Sequence, residues 1–252
     1  MIRIISFLVL LLNAAPLYAG RIVLIIDDMG YRKQDKQAFT LPTEVTFAIL
    51  PHTPYSKTYA KMADSQQRDV ILHMPMEALA GNKLGPGALT ADMPDDSIQL
   101  QLASALDSVP NAIGLNNHMG SKLTQLSQPM NATMDFLRHR QLFFVDSRTT
   151  KFSKAEQIAR HHGVISAHRH VFLDHLQDPK HIQAQFNRLL RIAKKSDYAV
   201  GIGHPHQETL AFLAAQLPQL EAQGIELLPI RALMQEKHLV QIEQNDTAPL
   251  TE

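Results

Sequence analysis

Residues 21–30 read RIVLIIDDMG, an unbroken apolar run that ends in two aspartates. A strand that is buried on both faces has this continuous pattern, whereas a strand with one wet face alternates apolar and polar residues. The stretch therefore predicts a strand over Arg21–Ile26, with Asp27 and Asp28 at its carboxyl end.

Similar short runs recur along the chain and alternate with helical patterns. Seven further strands are predicted, at Val45–Leu50, Val70–Leu72, Ala112–Leu115, Leu142–Val145, Val164–Ser166, Tyr198–Ile202 and Ile225–Leu228. Helices are predicted between them, at Ser56–Gln67, Asp96–Ser108, Pro129–Arg140, Ser153–His162, Asp178–Lys195 and Gln207–Gln223. The alternation indicates an α/β fold with a parallel sheet, and units of roughly 30 residues favour a closed barrel over an open sheet. No linker divides the chain, so we expect a single domain.

The composition excludes several classes of function. Lys+Arg and Asp+Glu both number 24, so no whole-protein field would attract nucleic acid. The chain has no cysteine, which excludes disulfides, thiolate metal sites and a cysteine nucleophile. It has 13 histidines, none of them before position 52. Histidine is the commonest metal ligand and titrates near neutrality, so this excess directs attention to the histidines that follow strands.

Residues 1–19, MIRIISFLVLLLNAAPLYA, have the layout of a secretory signal peptide. An early positive charge at Arg3 precedes the apolar run Ile4–Leu12, which is too short to span a bilayer, and the segment ends at Ala19. We expect a periplasmic or secreted protein with no stable membrane span after cleavage. Leu17 is a poor residue three positions before cleavage, so an uncleaved anchor stays open. The folded domain is expected at residues 20–236, followed by a polar tail at 237–252.

Polar residues follow five of the predicted strands. Because the carboxyl ends of parallel strands meet at one edge, these residues should share one basin. They occur in the stretches DDMG (27–30), HMPME (73–77), NNHMGS (116–121), DSR (146–148) and GHPH (203–206).

The residue types in this basin predict a metal-dependent hydrolase. Asp28 with the neutral imidazoles of His73 and His118 would form a facial metal site with open positions, for Zn²⁺ or another divalent ion. Asp27 would be the general base for a bound water. His204 would protonate the leaving group or stabilise the oxyanion.

Further polar residues of the same stretches are candidates for supporting roles. Glu77 is an alternative ligand or base. Asp146 and Arg148 would orient an imidazole or a carboxylate, and Asn117 and His206 are further positions around the site.

At these residues the sequence resembles the divergent polysaccharide deacetylase family, a remote branch of the NodB-homology carbohydrate esterases. The resemblance covers about residues 21–234. It rests on seven stretches taken in order: IIDDMG (25–30), ILPHTPYS (49–56), ILHMPME (71–77), GPGALT (85–90), GLNNHMGS (114–121), FVDSRTT (144–150) and GIGHPH (201–206).

The resemblance implies a distorted, NodB-like (β/α) barrel of about seven strands and a zinc-dependent carbohydrate deacetylase. Asp27 matches the catalytic base of the superfamily and Asp28 a metal ligand. His73 matches the first histidine of the H-x-x-x-H metal motif, and His204 the late catalytic histidine. The second histidine of that motif is replaced by Glu77, so His118 is assigned the missing imidazole. With no Trp to stack on sugar rings, a short or modified glycan is the expected substrate.

Two other functions stay open. The protein could be a catalytically silent periplasmic protein that uses the deacetylase-like pocket to bind a glycan or a partner. It could also be a glycoside hydrolase in which Asp27 pairs with Glu77 or Asp146, with the two carboxyl groups about 5–9.5 Å apart.

Overall fold

The computed structural model describes the backbone of residues 18–247 and the side chains of residues 18–243. The predicted signal peptide therefore lies almost wholly outside the described residues. Within the described part of the chain, no helix combines the length and apolar character that a membrane crossing requires.

Nine parallel strands form one sheet in the described residues, in the order β6-β5-β4-β3-β2-β1-β8-β7, with β9 paired to the start of β1. Their bounds are β1 Gly20–Met29, β2 Thr46–Ile49, β3 Val70–Met76, β4 Gly114–Met119, β5 Phe143–Asp146, β6 Ser166–His168, β7 Val171–Phe172, β8 Ala199–Gly203 and β9 Ile225–Leu227. The predicted parallel α/β fold is thus confirmed.

In the part of the chain that the structure describes, seven α-helices connect and follow the strands. They are α1 Ser56–Ser65, α2 Asp95–Ser108, α3 Ser127–His139, α4 Ala155–His161, α5 Pro179–Ala193, α6 Gln207–Gln216 and α7 Ile230–Thr247. The start of α5 follows directly from its sequence, because Asp178 accepts a hydrogen bond from the His181 backbone and Pro179 occupies the first turn. Residues 237–247, expected in the polar tail, continue α7.

The chain between β6 and β7 brings the two edges of the sheet together. The Arg169 backbone N–H donates to the carbonyl of Asp146, at the end of β5, and the His170 N–H donates to the carbonyl of Val200, in β8. The sheet therefore curls into a distorted barrel that a single crossing segment closes.

Two hydrophobic cores explain why the strands are continuously apolar. Ile22, Leu24 and Ile26 of β1 belong to the core under the helices, whereas Val23 and Ile25 belong to a second core. That second core contains the alternate residues of five other strands and Leu228, Ile230, Leu233 and Met234, which lie at the amino ends of the strands. We conclude that it fills the barrel, and that the start of α7 closes its lower end.

Two elements were not predicted. β7 has only two residues, and α7 follows the predicted strand Ile225–Leu228 and continues into the residues expected as a polar tail. At the start of α4, Ser153 and Glu156 do not form a capping box: Lys154 is the N-cap, and Glu156 pairs with Arg148. The Ser153 hydroxyl donates to Asp146 and accepts from the Ala155 backbone N–H.

Candidate active site

Side chains alternate along each strand, so the inward-facing residues of a strand are followed by site residues on the same face at its carboxyl end. Val23 and Ile25 face the inner core, so Asp27 continues their face at the carboxyl end of β1. His73 follows Ile71 in the same way on β3, and His204 follows Ile202 beyond β8. The predicted basin therefore lies above the inner core.

Asp28 is in the wrong phase to face inward, and a β-bulge corrects this. Ile26 pairs with Phe47 and Met29 with Ile49, so β1 has one extra residue between these pairs. Asp28 adopts a left-handed backbone conformation with φ of 58°. The bulge allows two consecutive carboxylates to enter one site.

Asp28, His73 and His118 bring three ligand atoms together. Asp28 Oδ1 lies 3.1 Å from His73 Nε2 and 2.9 Å from His118 Nδ1, and the two imidazole nitrogens are 3.1 Å apart. Donors about 2.0–2.2 Å from one ion would have separations of about 3 Å. The set is the chemistry that Zn²⁺ accepts, one carboxylate and two imidazoles.

Asn116 fixes which nitrogen of His73 faces this set. The Asn116 side-chain N–H donates to Asp27 Oδ1 at 2.8 Å, which turns its carbonyl oxygen toward His73 Nδ1, 2.7 Å away. Nδ1 must therefore carry the proton and donate. In a protonated His73, Nε2–H donates to Asp28; in a neutral His73, Nε2 presents its lone pair at the same position, as a metal ligand requires.

The charges of the site follow from these contacts. Although burial alone would raise it, hydrogen bonds from His118 and His73 hold the pKa of Asp28 far below its usual range. Burial raises the pKa of Asp27, despite the charges of His73 and His204 and the Asn116 hydrogen bond. The two adjacent carboxyl groups are therefore different: one is held ionised, and the other is disposed to accept a proton.

His204 faces this group from β8 and is oriented by Asp174. Its Nδ1 donates to Asp174 Oδ1 at 2.8 Å, while its Nε2 lies 3.9 Å from Asp28 Oδ2. Asp174 Oδ2 also accepts from the His204 backbone N–H and the Thr209 hydroxyl. Burial alone would lower the pKa of His204, but the Asp174 hydrogen bond and the nearby carboxylates raise it to about 9. His204 is thus protonated at neutral pH and can act as an acid.

Glu77 lies at the rim and is engaged elsewhere. Its two carboxylate oxygens bind the Lys122 ammonium and the Ala91 backbone N–H. The Lys122 hydrogen bond lowers the pKa of Glu77. Glu77 is not part of the group formed by Asp28, His73 and His118. Its position therefore does not support the predicted alternative in which Glu77 is a metal ligand.

The remaining candidates support the loops around the basin. Asn117 accepts a hydrogen bond from the Ser147 backbone and donates to the Met119 carbonyl. Asp146 is buried and accepts from Ser153 and from the Arg148 backbone, so these interactions orient a turn and not an imidazole. His206 lies beside His204, with ring centroids 5.7 Å apart.

Sequence reasoning missed Asn116 and Asp174, although both had a signal. Asn116 lies two residues before His118 on β4, so strand alternation places both on one face. Asp174 follows the apolar residues Val171–Leu173, and the rule applied to five strand ends would have found it had β7 been predicted.

Comparisons with known proteins identify the family of the chain. A family model described as divergent polysaccharide deacetylase matches residues 24–234. An uncharacterized protein of Haemophilus influenzae is 39% identical over 202 residues, which are 80% of this chain and 72% of that protein. The uncharacterized protein YibQ of Escherichia coli is 35% identical over 212 residues, which are 84% of this chain and 66% of that protein.

Solved structures share the fold at lower identity. An uncharacterized protein from Agrobacterium tumefaciens has a TM-score of 0.82 at 22% identity, covering 85% of this chain and 89% of that one. A family 4 carbohydrate esterase from Streptomyces lividans, in complex with acetate, has a TM-score of 0.51 at 10% identity, covering 82% of this chain and 91% of that one.

Proposed function

This chain belongs to the divergent polysaccharide deacetylase family, and we propose that it is an exported, metal-dependent hydrolase that removes amide- or ester-bound acetyl groups from a carbohydrate. One observation carries the proposal. Three ligand atoms of Asp28, His73 and His118 lie within 3.1 Å of one another, with a protonated His204 facing them and a buried Asp27 beside them.

Asp28, His73 and His118 would hold the divalent ion, with Zn²⁺ the ion that best suits the donor set. A bound ion of this kind lowers the pKa of a water molecule and polarises a carbonyl oxygen. Asn116 supports the site by holding the His73 ring in the tautomer that presents Nε2.

Asp27 would accept the proton of the attacking water. Its Oδ2 lies 3.7 Å from His73 Nε2, so it borders the ligand set without belonging to it. The pKa of Asp27, raised by burial, makes this carboxylate a stronger base than an exposed one.

His204 would complete the reaction as the acid. The water oxygen bonds to the acetyl carbon, the C–N bond of the amide or C–O bond of the ester breaks, and His204 Nε2 gives its proton to the leaving atom. Acetate and the free amine or hydroxyl are the products. Asp174 holds the ring in place and stabilises its charged form.

The proposed substrate rests on the family, and the proposed location rests on the amino-terminal sequence. The family is deacetylase-like, so an acetylated envelope carbohydrate or short glycan is the substrate class. Export rests on residues 1–19, and fractionation of cells that produce the full chain would test it. Recovery of the protein in the cytoplasm, with residues 1–19 intact, would contradict export.

Metal content and acetate release test the enzymatic part. The purified protein should bind one divalent ion per chain, and His73→Ala should lose it, whereas His139→Ala, on the exposed face of α3, should keep it. Asp27→Asn should keep the ion but release no acetate from an acetylated glycan panel.

Two results would overturn this assignment. Acetate release by a metal-free protein would exclude the metal-dependent reaction. No acetate release from the panel, together with an unchanged cellular phenotype of Asp27→Asn, would instead favour the silent binding protein.

A further inference from the structure

A polar cavity of about 530 Å³ adjoins the candidate active site at the carboxyl ends of β5 and β6. The charged groups in its lining are four cations and two acids: Arg148, Lys151, Arg160, Arg169, Asp146 and Glu156. We propose that this cavity binds an anionic group, a carboxylate or a phosphate, that the carbohydrate substrate carries. The inference deepens the proposed function and rests on it for the identity of the ligand as a glycan.

The two acids of the cavity are already engaged. Asp146 accepts from the Ser153 hydroxyl and the Arg148 backbone N–H. Glu156 pairs with Arg148 at 2.9 Å and with His168 at 3.0 Å, and the His168 contact holds the pKa of Glu156 at about 2.

Three of the cations have no acidic partner. Among the described residues, Lys151, Arg160 and Arg169 form no ion pair: Arg169 donates to backbone carbonyls, and Lys151 lies 5.0 Å above the ring of Phe152. The Lys151 and Arg160 side chains are exposed and able to turn toward a ligand. An anion would gain charge-assisted hydrogen bonds without displacing an existing ion pair.

The backbone that presents Arg148 is held in an unusual conformation. Arg148 has a φ of 45°, in the left-handed region that a non-glycine residue seldom adopts. The Arg148 N–H bond to Asp146 and the Thr149 hydroxyl bond to the Met119 carbonyl hold this turn. Such strain is retained where the surrounding structure fixes it, which is common at ligand sites.

Arg169 connects the cavity to the reacting groups. Its guanidinium donates to the carbonyls of Ser147 and Arg148 and lies 3.8 Å from the centre of the Phe172 ring. Phe172 is in turn stacked on His204, with ring centroids 6.1 Å apart. The Arg169 guanidinium and the Phe172 ring therefore lie between the cavity and His204, so an anion in the cavity would belong to a part of the substrate other than the acetyl group that reacts.

The distribution of charge around the basin also favours binding of the anionic group at the β5 and β6 cavity. A second cavity, beside the ends of β3 and β4, is lined by Glu77, Asp92 and Lys122 and has more acids than cations. An anionic sugar would be repelled there and attracted at β5 and β6.

Equilibrium binding tests the inference without relying on turnover. Acetylated oligosaccharides of equal length, one neutral, one with a carboxylate and one with a phosphate, would be titrated calorimetrically into the Asp27→Asn protein. We expect at least one anionic ligand to bind about tenfold more tightly than the neutral one. The preference should shrink as salt is raised, and the tighter of the two anionic ligands identifies the group.

Matched variants test whether the cations of the cavity cause the difference in affinity. In the same background, Lys151→Gln with Arg160→Gln should reduce binding of the preferred anionic ligand about tenfold and leave the neutral one unchanged. Glu156→Gln, which removes a competing carboxylate, should strengthen it. Lys194→Gln with Lys195→Gln, two exposed residues after α5, is the control for net charge and should change neither.

Equal affinity for neutral and anionic ligands would overturn the anion site, as would an equal effect of the control pair. The two proposals fail separately. Charge-selective binding by a protein that releases no acetate contradicts only the deacetylase function, whereas acetate release with no charge preference contradicts only the anion site.

Discussion

Replacing Asp174 with Asn should lower the pKa of His204 and change how stability depends on pH. Asp174 is buried and accepts the His204 Nδ1 proton at 2.8 Å. An amide has one accepting oxygen where the carboxylate uses two for His204, and it carries no charge. The charge that helps to raise the pKa to about 9 would therefore be lost, and any remaining hydrogen bond to Nδ1 would be a weaker one to a neutral acceptor.

The magnitude follows from the shift. An unperturbed histidine has a pKa of 6.5, so a folded value of about 9 corresponds to about 3 kcal/mol in favour of the charged ring. Asp27 and Asp28 also raise this pKa and remain in the variant, so we expect a decrease of at least about one unit.

The unfolded and folded pKa values of His204 also define how the free energy of unfolding changes with pH. A group whose pKa is raised by folding contributes stability that is fully present below the unfolded value of 6.5, and this is lost as pH rises through about 9. Between pH 6 and pH 9.5 the wild type should therefore lose more free energy of unfolding than Asp174→Asn.

The assays are an NMR titration of the histidine ring signals and urea unfolding at the two pH values. Thr209→Val is the control, because it removes the bond to Asp174 Oδ2 but leaves the Nδ1 contact. A His204 pKa that stays near 9 in folded Asp174→Asn would refute the reasoning.

Three further predictions concern metal affinity and stability. Asn116→Ala should weaken divalent-ion binding about 10–100-fold with the fold intact, since the His73 ring loses its orienting partner; unchanged affinity by calorimetry would contradict this. Gly20→Ala should destabilise the protein by about 1–3 kcal/mol in urea unfolding, because the added Cβ would lie 2.7 Å from the Ala193 backbone. Gly85→Ala is the control and should destabilise the protein less, because its Cβ would face only the Tyr31 and Pro75 side chains at 3.3–3.8 Å. Arg68→Met should cost about 2–4 kcal/mol, because the carbonyls of Leu41, Pro42 and Val45 lose their donor; a midpoint equal to that of wild type would exclude this role.

Much of the site's location could be predicted from the sequence because strand alternation is local. Once Val23 and Ile25 face the barrel interior, Asp27 must as well, and the same period carries Ile71 to His73. Asn116 was within reach of this reasoning, since it shares the face of His118 on β4. The period fails only at Asp28, where a bulge that no residue pattern announces adds one residue to β1.

The hydrogen-bond partners of the site residues could be identified only from the tertiary structure. Asp174 is 30 residues from His204, and its role depends on β7 and β8 lying side by side. Glu77 is held by Lys122, which comes from the loop after β4.

The sequence by itself determined the parallel α/β sheet, its inward faces and the residue types of the site, since these depend on a period of two and on which residues follow a strand. Only the tertiary structure decided how the sheet closes, how the bulge turns Asp28 toward the histidines, which acid orients His204 and where the unpaired cations lie. Those properties are distances between separate elements, and the packing of the whole barrel sets them.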